Sequence, residues 1–108
     1  VMTAAAIAQR AITPPSPKNS RSDWFKLSDY PSALQRAGKD GTVFFQLTVD
    51  AKGRVKNCTV TRSSGHAELD SSTCDAARKR ARFNPAKNGD GKKLEGKFDS
   101  KVTWRVPK

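Results

Sequence analysis

Apolar residues recur along this chain with two different periods. Over residues 42–50, Val43, Phe45, Leu47 and Val49 alternate with Thr42, Phe44, Gln46 and Thr48. A period of two puts alternate side chains on opposite faces of a strand, and the β-branched and aromatic types here suit one. Asp50-Ala51-Lys52-Gly53 reads as a hairpin turn, with Gly53 free to take positive φ. Residues 54–62 then return antiparallel. Val55 and Cys58 are out of phase for strict alternation, so a bulge is expected near Lys56-Asn57. Residues 98–106 alternate again, with Phe98, Ser100, Val102, Trp104 and Val106 inward and Asp99, Lys101, Thr103 and Arg105 outward. Pro107 stops that strand.

Between these strands the period changes. Leu69, Thr73, Ala76, Ala77 and Arg80 follow helical spacing, so the buried stripe is narrow and made of small residues. Ser63-Ser64-Gly65 breaks the preceding strand. Glu68 and Asp70 stand near the helix N-terminus, and Arg78, Lys79, Arg80 and Arg82 near its end, the order that suits the helix dipole. Pro85 forbids continuation. Earlier, Pro31 fits the first position of a short helix running to about Ala37, which Gly38 ends. Trp24 and Phe25 are expected to cover one end of the core. The element order is helix, strand, strand, helix, strand. A crossover that sets the last strand beside the first predicts an α+β fold with a three-stranded antiparallel sheet in the order second, first, third. The last strand is then an edge.

Composition narrows the picture. The chain has 108 residues, 35% of them hydrophobic, enough for one small domain with a modest core. No run approaches the ~18 apolar residues of a membrane span. The formal net charge of +11 attracts polyanions: nucleic acid, anionic lipid, lipopolysaccharide or an acidic protein. No nucleic-acid partner is expected, because the aromatic residues fall mostly on inner faces and leave only Phe44 as a candidate stacker.

Cys58 sits on a predicted strand and Cys74 on the following helix, with 15 residues between them. Redox C-x-x-C motifs need two intervening residues. A zinc site needs about four ligands, and only His66 could join the pair. The structural reading is one disulfide pinning helix to sheet, contributing about 3 kcal/mol on chain-entropy grounds and implying an oxidising compartment. No metal or cofactor is expected. Residues 1–23 are expected to be disordered and 24–108 to form the domain. Ala6-Ile7-Ala8-Gln9 resembles the end of a secretory signal or the tail of an anchored segment, and Thr13-Pro14-Pro15-Ser16-Pro17 a short extended linker.

Ser63, Ser64, His66 and Asp70 have the chemistry of a hydrolytic triad, but a nucleophile needs its base across a pocket. A turn and a helix start explain them more simply, and no catalytic residue is assigned. The uncovered last strand offers different chemistry. Its unpaired backbone groups can accept an extended peptide as a fourth strand.

Tyr30-Pro31 before a short helix, Asp50-x-x-Gly53-Arg54-Val55 at the hairpin, Ser63-Ser64-Gly65, Leu69-Asp70 and Arg82-Phe83-x-Pro85-Ala86 occur in this order. Together they make residues 30–106 resemble the C-terminal domain of TonB-type energy transducers. The resemblance implies a periplasmic domain that binds the TonB box of outer-membrane transporters along its last strand. It also implies ExbB and ExbD as partners through a membrane anchor, and coupling to the inner-membrane proton gradient. The implied binding residues are Asp99, Ser100, Lys101, Val102, Thr103, Trp104 and Arg105, with Lys26, Leu27 and Ser28 as a second contact. The best-known member of the family has glutamines before its Tyr-Pro pair; here Lys26, Leu27, Ser28 and Asp29 stand there. The alternatives are a soluble exported binding module without an anchor and a basic polyanion- or nucleic-acid-binding domain. The domain is expected as a monomer or a strand-swapped dimer.

Overall fold

A computed structural model describes residues 13–106. In chain order its elements are β1 (Ser16–Pro17), α1 (Arg21–Trp24), a 3₁₀ turn (Leu27–Asp29), α2 (Ser32–Arg36), β2 (Gly41–Val49), β3 (Val55–Arg62), α3 (Ala67–Arg80), β4 (Phe83–Asn84), β5 (Ala86–Lys87), β6 (Lys93–Leu94) and β7 (Gly96–Trp104). The main sheet runs β3-β2-β7, antiparallel throughout, as the alternation predicts.

The inward residues of β2, Val43, Phe45, Leu47 and Val49, are fully buried. Two layers cover them. α3 lays Leu69, Thr73, Ala76 and Ala77 onto the sheet, and its alanines permit a close approach. Beside it, the segment from Trp24 to Tyr30 packs its aromatic rings on the core. Trp24 meets Phe83 at a tilt at 5.4 Å, while Phe25 meets Phe45 at 5.9 Å and Tyr30 meets Trp104 at 5.4 Å, both edge-on. Trp104 also donates its indole N–H to Thr73 Oγ1 at 2.9 Å, and that hydroxyl donates to the Leu69 carbonyl at 2.8 Å. A buried indole and a buried hydroxyl thus satisfy each other.

The turn 50–53 forms as expected. Asp50 Oδ1 accepts from the N–H groups of Lys52 and Arg54 at 2.9 and 3.0 Å, and Gly53 has φ +85°. A Cβ at Gly53 would collide with the Phe83 carbonyl oxygen, so the hairpin tip and the chain leaving α3 require glycine there. The expected bulge lies at Lys56, between the pairs Val49↔Val55 and Thr48↔Asn57, and a second irregularity leaves Thr61 unpaired. Cys58 and Cys74 form a disulfide with a Cα–Cα separation of 5.6 Å, joining β3 to α3.

Three expectations shift. The last strand spans Gly96–Trp104 instead of 98–106, because β2 begins at Gly41, the partner of Trp104. Beyond that pair the Val106 N–H turns to Asp40 Oδ1 at 2.8 Å. Pro31 caps α2 from outside instead of opening it, and the helix ends at Arg36.

The larger difference is at the N-terminus. Residues 1–12 lie outside the described residues, but from Thr13 onward the proline-rich segment is part of the fold. Ser16–Pro17 pairs with Phe83–Asn84, and Thr13 bridges Lys87. Pro15 lies against the position of Gly96. Asn19 holds the junction, donating from Nδ2 to the Arg80 carbonyl at 2.8 Å while Oδ1 accepts from Trp24 Nε1 at 2.7 Å and from the Arg82 N–H at 3.0 Å. Prolines need no ladder donors, so an edge pairing of this kind is open to them.

Candidate functional site

β2 and β7 pair without interruption from Gly41↔Trp104 to Val49↔Gly96. β7 is straight in register over nine residues, and no described strand lies on its other side. β3, the opposite edge, carries two register irregularities and the disulfide. Bulges twist an edge away from further pairing, so β7 is the better template of the two.

The outward side chains of β7 lean back over β2. Asp99 Oδ1 accepts from Gln46 Nε2 at 3.1 Å, and Lys97 Nζ donates to Thr48 Oγ1 at 3.1 Å. The Thr103 and Thr42 hydroxyls are bonded at 3.0 Å. Lys101 Nζ lies 5.7 Å from the centroid of the Phe44 ring, which Arg62 flanks at the same distance. Attraction between a cation and the ring face holds Lys101 inward. Lys97, Asp99 and Lys101 therefore sit over the sheet, clear of the backbone of the open edge.

Seven residues were expected to form the binding edge. Six of them, Asp99, Ser100, Lys101, Val102, Thr103 and Trp104, lie on β7, whereas Arg105 lies just past its end. Lys26, Leu27 and Ser28 are exposed, and Leu27, at 58%, is the one exposed large hydrophobic residue among the described residues. Their neighbours Phe25 and Tyr30 both pack on Trp104, at 5.8 and 5.4 Å. Phe25 and Tyr30 thus anchor the two ends of this segment at the Trp104 end of β7, while Ser28 itself lines a cleft with Ser72, Asp75, Ala76 and Lys79 of α3. An ion pair that the sequence reading missed ties the segment to α3: Asp29 accepts from Nη1 and Nη2 of Arg80. Hydrogen bonding from Arg80 keeps the Asp29 carboxyl below the usual carboxylate range. A partner 51 residues away leaves no local signal.

The triad-like residues close a loop. Asp70 accepts from Ser63 Oγ, from the Ser64 N–H at 3.0 Å and from Ser64 Oγ at 2.8 Å. Burial opposes ionisation of Asp70, but these hydrogen bonds outweigh it and hold the carboxyl below its ordinary value. The hydroxyls serve the start of α3, as a turn requires. One cleft, of about 280 Å³, lies beside them and is lined by Leu34, Gly65, His66, Ala67 and Glu68; neither serine lines it.

Residues 26–106 match the family model described as Gram-negative bacterial TonB protein C-terminal. A protein TonB of Xanthomonas campestris pv. campestris is 40% identical over 77 residues, which are 71% of this chain and 34% of that protein. Protein tonB2 of Pseudomonas aeruginosa is 40% identical over 62 residues, 57% of this chain and 23% of that protein. This chain thus spans about a third or less of the curated relatives it matches. The solution NMR structure of the Pseudomonas aeruginosa TonB CTD superposes with a TM-score of 0.64 at 21% identity, covering 87% of this chain and 88% of that one, a likeness of fold. By the family match over 26–106, this chain belongs to the family of Gram-negative bacterial TonB C-terminal domains.

Proposed function

We propose that this domain recognises the TonB box of an outer-membrane transporter by adding it as a fourth strand along β7. The observation that carries the reading is the uninterrupted, uncovered β7 edge beside the exposed segment Lys26, Leu27 and Ser28. Backbone hydrogen bonds would supply affinity with little demand on sequence. Asp99, Ser100, Lys101, Val102, Thr103 and Trp104 would form the ladder, with Arg105 and the 26–28 segment meeting the ends of the peptide. The TonB family is one of transport energy transducers and not of enzymes. In that setting the domain works in the periplasm. ExbB and ExbD, engaged through a membrane anchor of the longer protein, couple the inner-membrane proton gradient to transport. The domain's part is to hold a peptide under load, for which a strand ladder is suited because its hydrogen bonds act together.

An NMR titration of the oxidised domain with TonB-box peptides tests this reading. Saturable shifts and new exchange protection at the amides of residues 99–105 are expected. A response confined to β3, or none on either edge with any peptide, overturns the binding mode.

A further inference from the structure

The basic charge is not spread evenly. β2 ends, β3 begins and α3 ends at the same pole of the domain, where β1 and the β5–β6 hairpin also lie. Residues 13–18, 49–57 and 78–97, which form this pole, hold twelve basic and three acidic residues; Arg78 and Arg80 are ion-paired with Asp75 and Asp29 from outside these segments, which leaves a net +7 of the chain's formal +11. Two of those basic residues are direct partners. Arg54 and Arg82 face each other in an isolated antiparallel bridge, which brings their Cβ atoms to roughly 5 Å. Like charges placed so cost stability. Among the described residues neither arginine has an ion-pair partner. Asp50, in the same turn as Arg54, spends Oδ1 on the N–H groups of Lys52 and Arg54. Lys18 joins them, its N–H donating to the Arg82 carbonyl at 2.7 Å.

We propose that this pole is a docking surface for an anionic phospholipid membrane, with the Arg54–Arg82 pair as its phosphate clamp. Two arginine side chains that leave the backbone at facing bridge positions can close on one shared phosphate, which removes their repulsion and accepts bidentate bonds; Arg82 Nη1 otherwise donates to the Ala81 carbonyl at 2.9 Å. Lys87, Lys92 and Lys93, exposed on the β5–β6 hairpin, extend the positive surface beside the clamp. Several elements contribute to a broad end face, which suits many phosphates in a plane. It has no exposed large hydrophobic residue, since Leu27 lies elsewhere, so it offers neither stacking for bases nor anchors for a peptide. The chain also reaches residue 13 at this pole, bridged to Lys87. A membrane-tethered N-terminal extension would present this end to the bilayer and leave the β7 edge free.

The test is co-sedimentation of the full 108-residue chain with vesicles of phosphatidylcholine alone or with added phosphatidylglycerol. Binding should require phosphatidylglycerol and weaken steeply with salt. Each basic residue near an anionic surface contributes about fivefold, so R54Q/R82Q should reduce partitioning about 25-fold. K87Q/K92Q/K93Q should reduce it further, while K101Q/R105Q, toward the opposite pole, should change it little. R54Q/R82Q should fold with an unaltered or higher thermal midpoint and bind β7 peptides normally, which separates this proposal from strand addition. Equal loss from K101Q/R105Q would mean diffuse attraction and overturn the clamp. Binding of free glycerophosphate as tight as that of vesicles, or of heparin without vesicles, overturns the membrane surface.

Discussion

At the scale of single residues, the fold depends on a few positions with no substitute. Asn19 satisfies three backbone or indole groups at once. Asn19→Ala leaves the Trp24 N–H buried without a partner and should cost about 2 to 3 kcal/mol in denaturant unfolding. A loss near zero would mean that water takes over its role. Gly53→Ala combines positive φ with a clash against the Phe83 carbonyl, and the backbone strain alone should cost about 1 to 3 kcal/mol. Asp29, Asp50 and Asp70 all ionise more readily in the folded chain. Their folded pKa values are lower than the unfolded ones, so their stabilisation is complete above the unfolded value, about 3.9, and is lost as pH falls through the folded one. Asp70→Asn should therefore be less stable than the parent at pH 7, with the difference closing toward pH 2. A pH-independent difference would assign the effect to loop geometry and not to charge. Of these residues, the sequence reading singled out Gly53, whose role is in a local turn, and Asp70. It passed over Asn19 and Asp29, whose partners, apart from Trp24 and the Lys26 N–H, are 51 or more residues away.

Among elements, the strands and the long helix were legible because each carries its own periodicity. β2 alternates, α3 shows a stripe of small residues, and the bulge at Lys56 follows from two apolar positions falling out of phase. Helix and sheet are then locked by the disulfide across 16 residues. Reduction, or C58S/C74S, should remove about 3 kcal/mol, lowering the thermal midpoint by about 10 to 20 °C while the circular dichroism at 25 °C stays native. A fall of only a degree or two would show that α3 holds its place by packing alone. β1 and β4 were not legible. Each is two residues long, too short for a period, and β1 contains a proline. Their pairing exists because the chain leaving α3 passes close to residues 16–17, which no local pattern encodes.

For the whole molecule, the aromatic lead-in, the helix face and all three main strands contribute to one cluster that includes Trp24, Tyr30, Phe45, Leu69, Phe83 and Trp104. One core implies one cooperative transition. Tryptophan fluorescence, which reports Trp24 and Trp104, and far-ultraviolet circular dichroism should give coincident unfolding midpoints. An earlier fluorescence transition would mean that the segment carrying Trp24 releases first and exposes the inward face of β7.

The sequence by itself determined the three main strands and the helices α2 and α3, the hairpin, the order of the main sheet, the disulfide pair and the family, because these rest on short-range periods, turn chemistry and ordered motifs. The tertiary structure alone decided how far β7 runs, that residues 13–20 belong to the fold, that Lys101 folds over Phe44, and that Arg54 meets Arg82. Each of these is a contact between residues distant in sequence. Such contacts are set by how the packed layers bring chain ends and side chains together, and a linear pattern carries no record of them.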